Sequence, residues 1–281
     1  MMKKKVKIFD IVLIVIFTLF SLLMIIPVYK VLVDSFDLKT AYGMKLFPEK
    51  FGFAGYKTIF TNPTMLRPFL ISCYTTAMGT VMGLLISVLG AYVLIQWKMP
   101  GRAFIANVLL FTMIFNGGMI PTYLVINKLH MINTMWAIVL PPAISTYNMI
   151  VMRTSFQAIP DSLVESAYLD GANDITIFSK IVLPLSKPII ATMTLYYAVY
   201  HWNSYFPSML YLNDQKKYPV QVVMRDIVIQ GDTSEITGSV NIIATNYKYA
   251  VIIISIVPIL LVYPLLQKYF TKGVMVGAVK G

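Results

Sequence analysis

Charge is scarce in this chain. Its 281 residues include 12 Asp or Glu and 23 Lys or Arg, 12% charged in all, against 58% hydrophobic residues. So few charges cannot coat a soluble domain of this length, which excludes an ordinary water-soluble fold and makes a membrane the expected solvent. Cysteine is scarcer still: Cys73 stands alone, so no intramolecular disulfide or Cys-rich metal site can form, and the redox compartment is left open. No G-x-x-x-x-G-K-[ST] stretch occurs, so the chain has no recognisable loop for holding a nucleoside triphosphate. The central parts of its apolar runs carry no Asp, Glu, Lys or Arg, and no internal repeat is found, both of which an ion-coupled carrier would be expected to have. A membrane-embedded hydrolase would need paired polar groups within those runs, and none stands out. The formal charge of +11 is scattered over loops on both faces, which points to anionic lipid headgroups and not to nucleic acid.

What the chain does have is length of apolar sequence. Runs able to cross about 30 Å of hydrocarbon as helix lie at about 11–30, 69–96, 104–126, 134–152, 188–212 and 249–267. They predict an all-α polytopic membrane protein with six spans in a single domain, since strands of a barrel would alternate strictly and these do not. The first run is too long for a signal core and Met24-Ile25-Ile26-Pro27 offers no small-residue cleavage site, so it reads as a retained span. Lys3, Lys4, Lys5 and Lys7 before it, and Lys98 and Arg102 after the second run, place the N-terminus in the cytoplasm. Six spans return the C-terminus to the same side. Two longer segments, about 34–68 and 213–248, then fall outside.

Within the runs, Gly79, Gly83, Ser87 and Ala91 repeat every fourth residue and form one small-residue helix face. That face fits close packing either inside this subunit or against another. Prolines at Pro121, Pro141, Pro142, Pro207, Pro258 and Pro264 each free a carbonyl and tend to kink a helix. Asn116-Gly117-Gly118 adds an amide and two flexible positions, fitting a translocation path or mere packing equally well.

The polar segment 153–187 separates the fourth and fifth runs and predicts two short helices. Asp161 is placed to cap the first, whose Leu163, Val164, Ala167 and Tyr168 give an apolar flank, and Gly171 would end it in the left-handed conformation that costs glycine little. Asp174 is placed to cap the second, Ile175 to Val182, with Pro184 stopping it. Ala167 and Gly171, one turn apart, would leave a shallow face with Glu165 at its rim. By periodicity alone, this is either a docking knob or an amphipathic helix on the inner leaflet.

The spacing Glu165-Ser166-Ala167, three residues, Gly171, nine residues, Ile181-Val182-Leu183-Pro184 resembles the EAA loop of ABC-importer permeases, with Ser166 the one substitution. The basic N-terminus, the stretch Asn116 to Thr122 and His201-Trp202-Asn203 extend the resemblance to the maltose-permease-like branch of ABC sugar importers, in its oligosaccharide-importing subgroup. It implies a type I importer permease in a bacterial cell membrane, itself not an enzyme. The implied assembly is a heterodimer with a second permease subunit, two ATP-binding subunits and an extracellular solute-binding protein. ATP and magnesium would sit on the ATPases, this chain binding no cofactor and no metal. Glu165, Ser166, Ala167, Gly171, Ile181, Leu183 and Pro184 would then be the coupling loop, through which closure of the ATPases rocks the neighbouring spans. An ion-coupled carrier, or an ABC permease for a non-sugar solute, is the alternative.

For a carbohydrate cargo the aromatic and amide groups of the fifth run are the natural contacts, because sugars present apolar faces and hydroxyl edges. Tyr196, Tyr197, Tyr200, Trp202 and Asn203, with Asn116, are the candidates for the substrate path. Tyr205 and Tyr211 read equally well as an interfacial aromatic belt. His201 has no acid near it in sequence and reads as a packed or interfacial imidazole.

Overall fold

The computed structural model describes residues 8–39, 43–96, 99–230 and 246–278. The basic tail through Lys7, Lys98, and residues 231–245 of the second long external segment lie outside the described residues. The chain is helical in fourteen pieces among those residues: α1 Ile8–Phe36, α2 Ala54–Thr61, α3 Pro63–Val93, α4 Arg102–Ile114, α5 Met119–Lys128, α6 Trp136–Val139, α7 Thr146–Gln157, α8 Asp161–Leu169, α9 Asp174–Ile177, α10 Leu183–Leu185, α11 Lys187–Trp202, α12 Phe206–Tyr211, α13 Val220–Arg225 and α14 Tyr247–Ala278. It divides into two compact units, Met1–Leu66 with Met224–Val257, and Arg67–Val223 with Pro258–Gly281.

Of the six apolar runs, three are met by unbroken helices long and apolar enough to cross a membrane, Ile8–Phe36, Leu66–Val93 and Tyr247–Pro264. Pro27 sits inside α1, and Pro258 and Pro264 inside α14, without interrupting them. The run 104–126, expected as one span, is instead two helices, Arg102–Ile114 and Met119–Lys128, bent by 120°. Gly118 makes the bend possible: its φ of 90° and ψ of 177° belong to a region open essentially to glycine alone. The run 134–152 is likewise not one helix. Pro141 and Pro142 open a 3₁₀ turn, Pro141–Ala143, between α6 and α7, because neither ring can donate to the preceding turn. The run 188–212 ends as helix at Trp202 and restarts at Phe206, with Pro207 in the first turn, where no N–H is required.

In the second unit, the small-residue face of α3 receives α11. A Cβ on Gly79 would lie 2.4 Å from the His201 ring, and one on Gly83 would lie 2.5 Å from the Tyr197 ring. Ser87 Oγ and Tyr197 Oη are 2.6 Å apart and share a hydrogen bond. The stripe therefore packs inside this subunit, which decides between the two readings that the sequence left open. Below it lies the main core, Val88 and Ala91 of α3 and Leu94 just past its end with Met149, Met152 and Phe156 of α7, Ile177 and Val182 beyond α8, and Met193 of α11. A second cluster gathers Ile126, Ala137 to Val139, Tyr211 and Leu212. Tyr211 is buried there, its ring stacked at 6.2 Å on Tyr123, so it is no member of an interfacial belt; Tyr205 stays exposed.

In the first unit, Asn246 Nδ2 donates to the Ser35 carbonyl at 2.7 Å, joining the end of α1 to the start of α14. Just past α1, the buried Asp37 carboxylate accepts hydrogen bonds from the backbone N–H groups of Lys39 (2.9 Å), Glu49 (3.2 Å) and Lys50 (3.2 Å) and from Lys45 Nζ (3.4 Å). Burial alone would raise its pKa, but these donors outweigh it and bring it down to about 2. A depressed folded-state pKa stabilises above the ordinary carboxylate value and ceases to do so as pH falls through the folded one. Amide hydrogen exchange at Glu49 and Lys50 is therefore expected to lose its protection between about pH 4 and pH 2, and to lose this pH dependence in Asp37→Asn.

Candidate functional site

The segment 153–187 folds as an elbow, and its first helix is closed as the glycine requires. Gly171 has φ 81°. Its N–H bonds to the Tyr168 carbonyl (3.0 Å) while Ala172 N–H bonds to the Ala167 carbonyl (2.9 Å). Together these make a Schellman motif, satisfying two carbonyls that the helix end would otherwise leave bare. The start differs from expectation. Asp161 is already helical, and the capping position falls on Pro160, which has no side-chain cap, so Asp161 contributes through the helix dipole. The second helix is also capped one residue earlier than expected: Asn173 Oδ1, not Asp174, accepts from Thr176 N at 2.8 Å.

Pro184 does not stop that second helix. The turn Phe178–Val182 widens to π geometry, with Leu183 N–H reaching back to the Phe178 carbonyl. Helix then continues through Leu183–Leu185, to break at Ser186 before α11. A widened turn just ahead of a proline gives its ring room and removes the demand for its missing N–H, which is why the chain bends by 78° only after Leu185.

The elbow is fastened to the bundle by Tyr92, which the sequence reading passed over, and closed on itself by Tyr168 and Asp174, to which that reading gave other roles. Tyr92, at the end of α3, donates its hydroxyl to the Asp174 carbonyl at 2.9 Å and packs its ring on Phe178 with centroids 4.7 Å apart. Tyr168 Oη donates to the Asp174 carboxylate, closing α8 onto α9. That bond, with burial next, pushes the Tyr168 pKa up to about 12. The sequence signal was the Asn173-x-x-Thr176 capping pair, which sets Asp174 in the first turn of α9. Nothing local marked Tyr92, 82 residues away.

The coupling-loop candidates split between two faces. Glu165, Ser166, Gly171 and Pro184 are exposed, and nothing lies within 4 Å of a Cβ on Gly171. Ala167, Ile181 and Leu183 are half-buried and pack against the main core, as do Val164 and Ala172. The shallow open face expected at Ala167 is thus turned inward. The elbow's outward apolar groups include Leu163 (47% exposed), Leu169 (89%) and Ile175 (77%).

The substrate-path candidates split as well, with the helical period deciding how. Tyr196, Tyr200 and Asn203 fall at i, i+4 and i+7 and are exposed. Tyr197 and Trp202 are not on that face. Tyr197 is buried on Gly83 and Ser87, and Trp202 is buried with its ring edge-on to Phe69 at 5.8 Å, so neither lines an open path. His201 is packed on Gly79, with the Tyr200 ring at right angles 5.4 Å away. Asn116 is exposed at the α4–α5 bend, its Oδ1 accepting from Gly118 N at 2.9 Å. Among the described residues there is no group of three or more His, Cys, Asp or Glu that could hold a metal ion.

Residues 2–276 match the family described as the inner membrane component of binding-protein-dependent transport systems. The chain belongs to this family. As an inner-membrane transport component it is 42% identical, over 99% of its length and all of the relative's, to the polygalacturonan/rhamnogalacturonan transport system permease protein YtcP of Bacillus subtilis (strain 168). It is 41% identical to protein LplC of the same organism, over 92% of this chain and 90% of that one. A chain in the crystal structure of a bacterial ABC transporter that imports the acidic polysaccharide alginate superposes with a TM-score of 0.87 and 31% identity, covering 96% of this component and 99% of that chain. The elbow therefore sits in an all-α, type I ABC importer permease fold.

Proposed function

We propose that this permease, a single transmembrane domain over residues 1–281, forms part of the translocation path for an oligosaccharide handed over by an extracellular binding protein. A relative named for polygalacturonan and rhamnogalacturonan, and a structural neighbour that imports alginate, support a carbohydrate cargo. A second permease subunit completes the pore, and ATP with magnesium is bound and hydrolysed on two separate cytoplasmic subunits, so this chain catalyses nothing. Both termini face the cytoplasm, as the basic flanks favour.

The observation that carries this reading is that the elbow shares one core with three helices. Ile177 and Val182 of the elbow lie in the same cluster as residues of α3, α7 and α11, and Tyr92 ties α3 to Asp174 directly. A push on the exposed side of α8 cannot be absorbed locally, because packed interiors transmit displacement and do not yield to it. Glu165, Ser166 and Gly171, with Leu163 and Leu169 beside them, offer the ATPase its contact, while Ala167, Ile181 and Leu183 carry the load inward and Pro184 sits in the last turn before the bend. Tyr196 and Tyr200 on α11, Asn203 just past its end, and Asn116 face the cargo.

The test is uptake of labelled oligosaccharide by vesicles holding the permease pair, the ATPases and the binding protein. Uptake is expected to require ATP inside the vesicle, and a photocrosslinker at Leu169 is expected to capture the ATPase. Uptake driven by an ion gradient without ATP, or no crosslink, would sink the reading.

A further inference from the structure

The segment after α1 carries three large apolar side chains with no protein cover: Met44 is 68% exposed, Leu46 72% and Phe47 77%. This is no loose loop. Asp37 gathers backbone N–H groups from both of its ends, Leu38 N bonds to the Lys50 carbonyl at 2.9 Å, and Gly52 N bonds to the Phe36 carbonyl at 2.9 Å. Such pinning fixes where the three apolar groups sit.

Where they sit can be read from two hydrogen bonds to α1. Lys30 Nζ, which also pairs with Asp34 at 2.8 Å, donates to the Gly43 carbonyl at 2.8 Å. Tyr29 Oη donates to the Leu46 carbonyl at 2.6 Å. Tyr29 lies seven residues before the helix end at Phe36, or about 10 Å along the axis, and side chains on a helix lean towards its N-terminus. Residues 43–46 therefore lie beside α1, with Leu46 level with Tyr29. Residues 11–28 of α1 carry no charge and, at about 27 Å of helix, match the hydrocarbon thickness. Tyr29 and Lys30, an aromatic ring followed by a cation, then mark the edge of the hydrocarbon.

We propose that residues 43–53 form a foot on the membrane surface, with Met44, Leu46 and Phe47 entering the interfacial zone of the leaflet at the C-terminal end of α1. Lipid is the occupant the observations select. The foot continues the apolar surface of α1, exposed at Ile25, Ile26 and Val28, while two of its three charged residues, Glu49 and Lys45, pair with each other at 2.9 Å and the third, Lys50, is a base suited to lipid headgroups. The inference rests on α1 being a membrane span, and the experiment separates the two.

Nitroxide labels are placed one at a time at Met44, Phe47, Glu49 and mid-span Leu19, in a Cys73→Ser background, on the full chain assembled with its partners in phosphatidylcholine vesicles. Collision with oxygen, which concentrates in lipid, is compared with collision with a water-soluble nickel chelate. Labels at Met44 and Phe47 are expected to meet oxygen more often than nickel, at a shallower depth than Leu19, while Glu49 meets nickel more often. A nickel preference at Phe47 would put the foot in water, and shielding from both reagents would put it against protein; either overturns the proposal. If Leu19 itself showed no oxygen preference, the span reading would fail with it.

Discussion

Gly171→Asp is expected to abolish ATP-driven uptake while the chain still folds, reaches the membrane and leaves the binding protein holding its cargo. Two penalties meet at this position. A side chain at φ 81° costs about 1–2 kcal/mol of backbone strain. Because nothing lies within 4 Å of the added Cβ, the carboxylate projects outward from the elbow, where we place the ATPase. A charge buried without a partner at the centre of an interface costs about 3 kcal/mol or more, a loss of roughly 100-fold in attachment. Gly171→Asn separates the two, since asparagine tolerates the left-handed region and carries no charge. Co-purification of the ATPase should be retained in the asparagine variant and lost in the aspartate one. Equal loss in both would show that added bulk and not charge breaks the contact, and normal uptake by the aspartate variant would remove the docking role.

The second large effect is expected in the α3–α11 seam. Helix propensity alone would favour Gly83→Ala by up to about 1 kcal/mol. The added methyl would meet the Tyr197 ring at 2.5 Å, and that ring is held by the Ser87 hydroxyl, so it cannot swing aside cheaply. Overpacking of this kind costs about 1–3 kcal/mol. Both Gly83→Ala and Gly79→Ala should therefore lower the midpoint of thermal unfolding in detergent, against their propensity. Pairing Gly83→Ala with Tyr197→Ala should recover part of the loss, giving a favourable coupling energy in the double-mutant cycle. A higher midpoint for either single variant would mean the helices do not approach so closely.

Much of this architecture was legible because lipid imposes simple demands. Apolar length marked the long helices, and the four-residue spacing of Gly79, Gly83, Ser87 and Ala91 marked the face on which α11 lies. Gly171 was legible because a helix end needs a residue that can turn left-handed. Three things were not. Gly117-Gly118 and Pro141-Pro142 were marked as flexible and kinking positions, but sequence cannot tell a kink within one span from a helix that breaks in two, as these do. Direction along α11 was unreadable because aromatic residues occupy every side of it. Only packing on α3 separates Tyr197 and Trp202 from Tyr196, Tyr200 and Asn203. Finally, Ala167 points inward and Leu169 outward, a matter of helix rotation that the spacing of a motif does not fix.

The bend between α4 and α5 carries a consequence for the chain as a whole. If the two helices make one crossing, Phe115 and Gly118 N–H find partners in the Phe111 carbonyl and Asn116 Oδ1, but the helical ladder is interrupted at the N–H groups of Asn116 and Gly117, and midway through the hydrocarbon each bare group costs several kcal/mol. Lipid cannot supply the missing partners, yet Ile114 is 89% exposed and Phe115 62%. This polypeptide alone is thus an incomplete solution to the problem of living in a bilayer: the gap just ahead of Gly118 has to be filled by water or by another protein.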